Sequence, residues 1–175
     1  YKGATALHRT RNVEIIKILI NSKAEINSRD LEGNIALHSK CFGEKNKPSD
    51  LEAIRMLLKY EADFTIKNKK FLLPLHLAAM QGRTDVIQIL IEWDTDKKMI
   101  KVLNTETEEE NVSSPTFLAL SNDHLECANC LVKYGISLKK GEAESIMVKI
   151  LLEKVIVKDI KKTLTFLCQN GCNLK

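Results

Sequence analysis

Aromatic residues are scarce in this chain: five Phe, three Tyr and one Trp make up 5% of its 175 residues. A core built mainly on aromatic packing is therefore not expected. The three prolines and seven glycines are too few for a disordered or loop-dominated chain. No apolar run reaches the roughly 18 residues that a membrane-spanning helix needs. This segment is therefore expected to be globular, with no insertion into a membrane.

Recognisable catalytic motifs are also missing. The sequence has no glycine-rich phosphate loop, and no nucleophile motif places a Ser or Cys beside a His. The acidic residues fall in expected loops and on the outer faces of expected helices. We therefore expect a protein that is not an enzyme, with no catalytic residue and no cofactor. The net charge of +4 is too small to indicate a nucleic acid as the partner.

A short pattern recurs along the chain. It reads ALH at 6–8 and 36–38, PLH at 74–76 and, with changed letters, SPTF at 114–117. An apolar block with helical spacing follows each of the four, at 15–20, 53–58, 86–91 and 127–132. Successive signatures lie 30, 38 and 41 residues apart, counted from His8 to His38, to His76 and to Phe117. These distances of 30 to 41 residues indicate a repeating unit of two helices and a loop.

This pattern resembles the ankyrin-repeat family, whose signature contains T-P-L-H-x-A. The match is closest at 73–91, LPLHLAAMQGRTDVIQILI, and extends over about 3–138. In the tail, LCQNGCNL at 167–174 matches LVKYGISL at 131–138 and suggests a divergent fifth unit. The resemblance implies an all-α ankyrin-repeat solenoid of about five units. We expect these units at approximately 1–29, 30–67, 68–104, 105–139 and 140–175.

The spacing irregularities predict local changes. Residues 43–50 should form a surface loop, with Ser49 and Glu52 as a capping box at the start of the next helix. Residues 94–114 should lengthen the exit from the third unit. Three residues fewer between His8 and Val13 should shorten the first helix by about one turn. Because the chain begins inside a loop motif with no polar capping unit, a fragment of a longer protein is expected.

The histidines and cysteines each allow a chemical and a structural interpretation. The resemblance implies that His8, His38 and His76 open first helices and hydrogen-bond to the preceding turn and the neighbouring repeat. Ile35 and Leu73 replace the usual Thr, so backbone partners are expected for the second and third His. The cysteines could form two halves of a zinc site. When the repeats are aligned with each other, however, the cysteines occupy positions at which other units have apolar core residues. We therefore expect no metal site and buried, reduced thiols at Cys41, Cys127, Cys130, Cys168 and Cys172.

An odd number of cysteines without small-scaffold spacing favours a reducing compartment, so an intracellular, cytoplasmic location is expected.

The expected function is protein–protein recognition through the loop tips and the concave face. The loop tip at 67–73 differs from the tip of the preceding unit, because Phe71 stands at the position that Gly33 occupies there. This replacement predicts a changed turn and an exposed aromatic side chain beside lysines. The residues expected to bind a partner protein are Lys67, Lys69, Lys70, Phe71, Leu72, Met80, Gln81 and Arg83. Two alternatives are a sensor of a phosphorylated small ligand or RNA, through the Lys/Phe loop, and the cytosolic ankyrin stack of a cation channel. For the second, residues 94–107 resemble the irregular loops of A-type transient receptor potential channels.

Overall fold

A computed structural model describes residues 3–43, 48–104, 112–139, 141–146 and 160–170. These residues form helices joined by turns, and no strand occurs among them. The helices are α1 (Ala6–Arg9), α2 (Val13–Asn21), α3 (Ala36–Cys41), α4 (Pro48–Lys59), α5 (Pro74–Met80), α6 (Thr84–Trp93), α7 (Lys98–Asn104), α8 (Pro115–Ser121), α9 (Leu125–Lys133) and α10 (Ile160–Gln169).

The helices stack in two layers. The short first helices of the units form one layer, in which α1 packs on α3, α3 on α5 and α5 on α8. The second helices form the other layer, in which α2 packs on α4, α4 on α6 and α6 on α9. The core lies between the layers and is aliphatic, with Leu37 and Leu75 from the first layer and Ile54, Leu57 and Ile87 from the second, all 0% exposed. The all-α ankyrin-repeat solenoid predicted from the sequence is confirmed.

The signature histidines supply the reciprocal half of a capping box at α3 and α5, since each accepts the backbone N–H of the cap residue. A helix needs acceptors for its first N–H groups, and the side chains of Ile35 and Leu73 at the cap positions have none. The ring Nδ1 of His38 accepts the N–H of Ile35 at 3.3 Å, and Nδ1 of His76 accepts that of Leu73 at 3.0 Å. The predicted backbone partners are therefore present on this side of both rings.

The bounds of the helices test two of the predicted irregularities. The first helix is shortened as expected, since α1 has four residues where α5 and α8 each have seven. The prediction of a surface loop over 43–50 is wrong at both ends, because Gly43 is buried and α4 already begins at Pro48. Ser49 therefore lies inside the helix rather than at its cap. Asp50, expected in the loop, is 0% exposed.

The lengthened exit of the third unit contains a helix of its own, α7. Asp94 caps it, since its carboxylate accepts the N–H of Lys98 at 2.6 Å and that of Met99 at 3.0 Å. Met99 packs into the core at 1% exposure. Residues 105–111, which complete this insertion, lie outside the described part of the chain.

The fifth unit is described in part. Residues 142–146 are helical, and α10 covers the start of the repeated segment at 167–174. The boundaries of the five units stay a prediction. None of the helices described here is both long and apolar enough to cross a bilayer.

Candidate interaction surface

The tips of the first two inter-unit loops have the same backbone turn, built on one side-chain oxygen. In the first tip, Oδ1 of Asp30 accepts the N–H groups of Glu32 and Asn34 at 2.9 and 2.8 Å. In the second, Oδ1 of Asn68 accepts those of Lys70 and Leu72 at 2.9 and 3.0 Å. Each side chain thus accepts two backbone N–H groups of its own loop, and so holds the conformation of the tip without a paired strand.

Phe71 adopts the conformation of the glycine that it replaces. Its φ is +58°, against +78° for Gly33. Its N–H donates to the carbonyl of Asn68 at 2.9 Å, as that of Gly33 donates to Asp30 at 3.0 Å. The predicted change of turn is therefore wrong: the turn is kept, and the phenylalanine occupies the left-handed region at a cost of about 1–2 kcal/mol. Its side chain is 45% exposed.

The two tips are joined to each other by polar contacts. Asn68 Nδ2 donates to Asn34 Oδ1 at 2.8 Å, and the N–H of Lys69 donates to the carbonyl of Glu32 at 2.9 Å. A Cβ on Gly33 would lie 2.9 Å from the backbone nitrogen of Lys69, so this position has no room for a side chain. The tips form one rigid edge, and the two asparagine side chains are occupied in holding it.

The buried histidines hold this edge against the first helices. Nε2 of His8 lies 2.8 Å from the carbonyl of Asn34, and Nε2 of His38 lies 3.0 Å from that of Leu72. Because Nδ1 of His38 accepts a backbone N–H, the ring must carry its proton on Nε2 and donate it to Leu72. Burial lowers the pKa of His38 to about 4, so the ring is neutral at neutral pH. The predicted structural role of these two histidines is confirmed.

His76 differs from the other two. Its Nε2 has no hydrogen-bond partner among the described residues, although the ring is fully buried. Burial is the main cause that lowers its pKa, to about 3. The structural role holds for this ring through Nδ1 alone.

Between the tips and the first helices lies a cleft of about 380 Å³. Its apolar wall comes from Phe42, Leu72, Leu77 and Met80, and its polar residues from both tips and from α3: Glu32, Asn34, His38, Ser39, Asn68 and Lys70. Phe42 is 52% exposed, so it presents an aromatic ring to solvent. A volume at the low end of the range of about 300–1,000 Å³ suits a small apolar group better than a large ligand.

The residues predicted to bind a partner do not all meet at this cleft. Lys70, Leu72 and Met80 line it; Lys69 and Phe71 are exposed on the adjoining tip; Lys67 and Gln81 are half-buried. The inclusion of Arg83 is wrong, because this side chain is 0% exposed and directed into the protein. A partner at the cleft therefore has no access to it.

Arg83 belongs to a buried charge network at the opposite end of the units from the tips. Its Nη1 donates to the carbonyl of Lys40 at 2.8 Å and lies 3.3 Å from Asp50 Oδ2. Arg11 donates to the other oxygen of Asp50. Lys40 Nζ donates to the carbonyl of His8 at 2.6 Å, and burial lowers the pKa of Lys40 to about 8. The network links the first three units.

Sequence reasoning missed Phe42. It lies four residues after His38, and Met80 lies four residues after His76, so both residues occupy the same position of consecutive first helices. Comparing this position between the second and third units would have identified Phe42 together with Met80. The missed polar residues of the cleft, Ser39 and Glu32, carry no comparable signal.

The thiols follow the prediction in part. Cys41 and Cys127 are buried and Cys130 is half-buried, but Cys168 is exposed, so its predicted burial is wrong. It lies on α10, where the repeat alignment is weakest. Cys172 lies outside the described residues.

Comparison with known proteins agrees with this architecture. A family model described as ankyrin repeats, in three copies, matches residues 45–141. A putative ankyrin repeat protein of fowlpox virus is 29% identical over 88% of this chain and 43% of its own length. Transient receptor potential cation channel subfamily A member 1 of Drosophila melanogaster is 27% identical over 66% of this chain and 9% of the channel. Notch-regulated ankyrin repeat-containing protein A of Danio rerio is 30% identical over 44% of this chain and 64% of that protein.

The chain spans less than two thirds of the length of each of these relatives. Ankyrin repeats are in general protein-interaction modules and are typically not enzymes. The family model covers more than half of the chain, from residue 45 to residue 141. The chain belongs to the ankyrin-repeat family.

Proposed function

We propose that this chain binds a partner protein through one continuous surface, formed by the cleft and the tip at 67–72. The cleft carries the proposal. It places an exposed aromatic ring, Phe42, beside Leu72, Met80 and the ammonium-bearing Lys70 on a concave surface. Aromatic and apolar side chains in a concave, partly desolvated site are typical of the anchors of interfaces.

The position of Phe71 supports the same surface. A phenylalanine in the left-handed region is strained, and 45% of it is exposed to water. Glycine would form the same turn without strain, as it does at position 33. A role in binding accounts for a residue that the turn itself does not require.

Site-specific photo-crosslinking tests this proposal. A benzophenone amino acid is placed at position 42, at 71 or at 59, where Lys59 is exposed on the second-helix layer and serves as control. We expect the same protein adduct from positions 42 and 71 in extracts of the source cells, and none from 59. Adducts of equal yield at all three positions, or from 59 alone, would place binding elsewhere.

The purified adduct partner then allows a quantitative test. Phe71→Ala should weaken binding by more than about 1 kcal/mol, which is about fivefold. Lys69→Glu and Lys70→Glu should chiefly slow association, and added salt should mask that effect. A steep loss of affinity with salt in the unmodified chain would instead favour the phosphorylated ligand or RNA.

The channel alternative has one observation in its favour, the 27% identity to the Drosophila channel over 115 residues. We keep it as a second proposal. Sequencing the complete transcript tests it, since membrane-spanning segments in the same open reading frame are required. We propose a cytoplasmic location as well, on the ground that the five cysteines are an odd number without small-scaffold spacing.

A further inference from the structure

We infer that the cleft takes an acidic peptide segment, with one large apolar side chain seated between Phe42 and Met80 and a neighbouring carboxylate paired with Lys70. This inference rests on the proposed binding surface and names the chemistry of the partner. Three features of the described residues support it: the shape of the apolar wall, the occupation of the other polar groups, and the charge of the two tips.

The apolar wall comes from equivalent positions of two consecutive units. Phe42 and Met80 each lie four residues after the signature histidine, and Ser39 and Leu77 each lie one residue after it. Residues three apart share a helix face, so α3 and α5 both present this face to the cleft. At about 380 Å³, the space accommodates one large side chain with part of its backbone rather than a folded domain.

The polar groups around this wall are mostly occupied within the protein. Asn68 accepts two backbone N–H groups and donates to Asn34, whose own amide donates to Asp30 at 3.2 Å. His38 uses both ring nitrogens on backbone groups. Because these groups cannot also serve a ligand without breaking the tip, the charged side chains left at the cleft are Lys70 and Glu32, and Glu32 has a further interaction of its own within the protein.

The charge of the tips favours a carboxylate. The segments 28–34 and 67–73 together carry four basic residues and two acidic ones. One of the two acids, Asp30, is held by its own turn. Lys69 and Lys70 are exposed, and neither forms an ion pair within the described ranges. A basic peptide would be repelled here, whereas an acidic one gains complementarity and faster association.

Peptide display on the immobilised chain tests this inference. A random 12-residue library is selected in parallel on four proteins: the unchanged chain, Phe42→Ala, the double variant Lys69→Glu/Lys70→Glu, and the control Lys59→Glu. Thermal melting first checks that all four are folded. All substituted side chains are exposed, so folding should be preserved.

We expect the unchanged chain and the control to enrich peptides with a Leu, Met, Phe or Trp beside two or more Asp or Glu. The Lys69→Glu/Lys70→Glu variant should lose the acidic preference and select basic residues instead. Synthetic peptides from the first selection should bind Phe42→Ala at least about fivefold more weakly. Replacing their acids by Gln should also reduce affinity, less so at high salt.

Two results would overturn the inference in different ways. Enriched peptides that depend on Phe42 but carry no acidic preference would refute the acidic partner and leave the proposed binding surface standing. Peptides that ignore both Phe42 and the lysines, or no enrichment at all on the unchanged chain, would refute the inference and the binding surface together.

Discussion

At the scale of single residues, the histidines show how one side chain serves two neighbouring units. His8 and His38 each cap their own helix through Nδ1 and hold the next tip through Nε2. The repeated signature was sufficient to predict this role. For His76 the described residues contain no second contact, and the following inter-unit segment includes residues 105–111, outside the described part of the chain.

Phe71 shows where pattern reasoning fails. A changed turn was expected because glycine usually supplies a positive φ. The turn is set instead by the side chain at its first position, Asp30 in one tip and Asn68 in the other. Phenylalanine is thereby forced into the conformation of glycine, and only the shared side-chain acceptor could have indicated this from the sequence.

Two substitutions of Phe71 separate strain from contact. Both Phe71→Gly and Phe71→Ala remove the ring, but only glycine relieves the left-handed backbone. The glycine variant should therefore be more stable than the alanine variant by about 1 kcal/mol. Urea unfolding measures the difference. Equal stabilities would show that the turn relaxes around alanine, and a loss of about 3–5 kcal/mol in both would identify the ring as core.

The two lowered histidine pKa values predict a pH dependence of stability. The unfolded chain protonates histidine near pH 6.5, whereas folded His38 and His76 stay neutral down to about 4 and about 3. The stabilisation is thus present above pH 6.5 and is lost as the pH falls towards 4, by up to about 1.4 kcal/mol per pH unit for each histidine. Unfolding free energies at pH 7.5, 6, 5 and 4.5 should show the decline, with a shallower slope in His76→Gln. An unchanged slope in that variant would contradict a neutral buried ring.

At the scale of elements, the segment predicted as a loop at 43–50 differs most from the prediction. Its loop-forming composition could not reveal that α4 begins at Pro48 or that Asp50 in this helix is buried against Arg83. The two residues are 33 positions apart, and charged side chains are usually exposed. A Cβ on Gly43 would clash with Asp50 Oδ2, so this glycine is required for space around the ion pair.

Removing Asp50 should destabilise the protein strongly. Asp50→Ala removes the buried carboxylate beside Arg83 and leaves its guanidinium with the carbonyl of Lys40 and with Asp85, whose Oδ2 lies 3.7 Å from Nη2. The loss should therefore be about 3 kcal/mol, the low end of the range for a broken buried pair. Arg11→Ala is the matched control, because Arg11 contacts the same carboxylate from a side chain that is 41% exposed, and should cost about 1 kcal/mol or less. Guanidinium chloride unfolding compares the two. The double variant Asp50→Leu/Arg83→Met should recover part of the loss, and no recovery would mean that packing rather than charge dominates.

At the scale of the whole molecule, stability should follow the stacking of the units. The period of the signatures predicted this stacking well, because each unit buries its apolar face only against its neighbours. Within the described residues, α5 contacts α3 and α8 on either side, while α1 contacts only α3 in its layer. In the second layer, α2 leaves Ile15 and Ile18 exposed by 45% and 62%. In a polypeptide of these 175 residues alone, the first unit should therefore open before the middle of the array.

Equivalent leucines in the first and third units test this gradient. Leu7 and Leu75 occupy the same position of the repeated signature, and they are 2% and 0% exposed. Either change to alanine removes a similar buried volume, at a cost of about 2–5 kcal/mol. In native-state hydrogen exchange, Leu7→Ala should speed exchange in α1 and α2 alone, since the first unit can open by itself. Leu75→Ala should speed exchange from α3 to α9, because both neighbours of the third unit lose a packing partner. If both variants accelerate exchange equally in every helix, the units do not open separately and the array unfolds in one step.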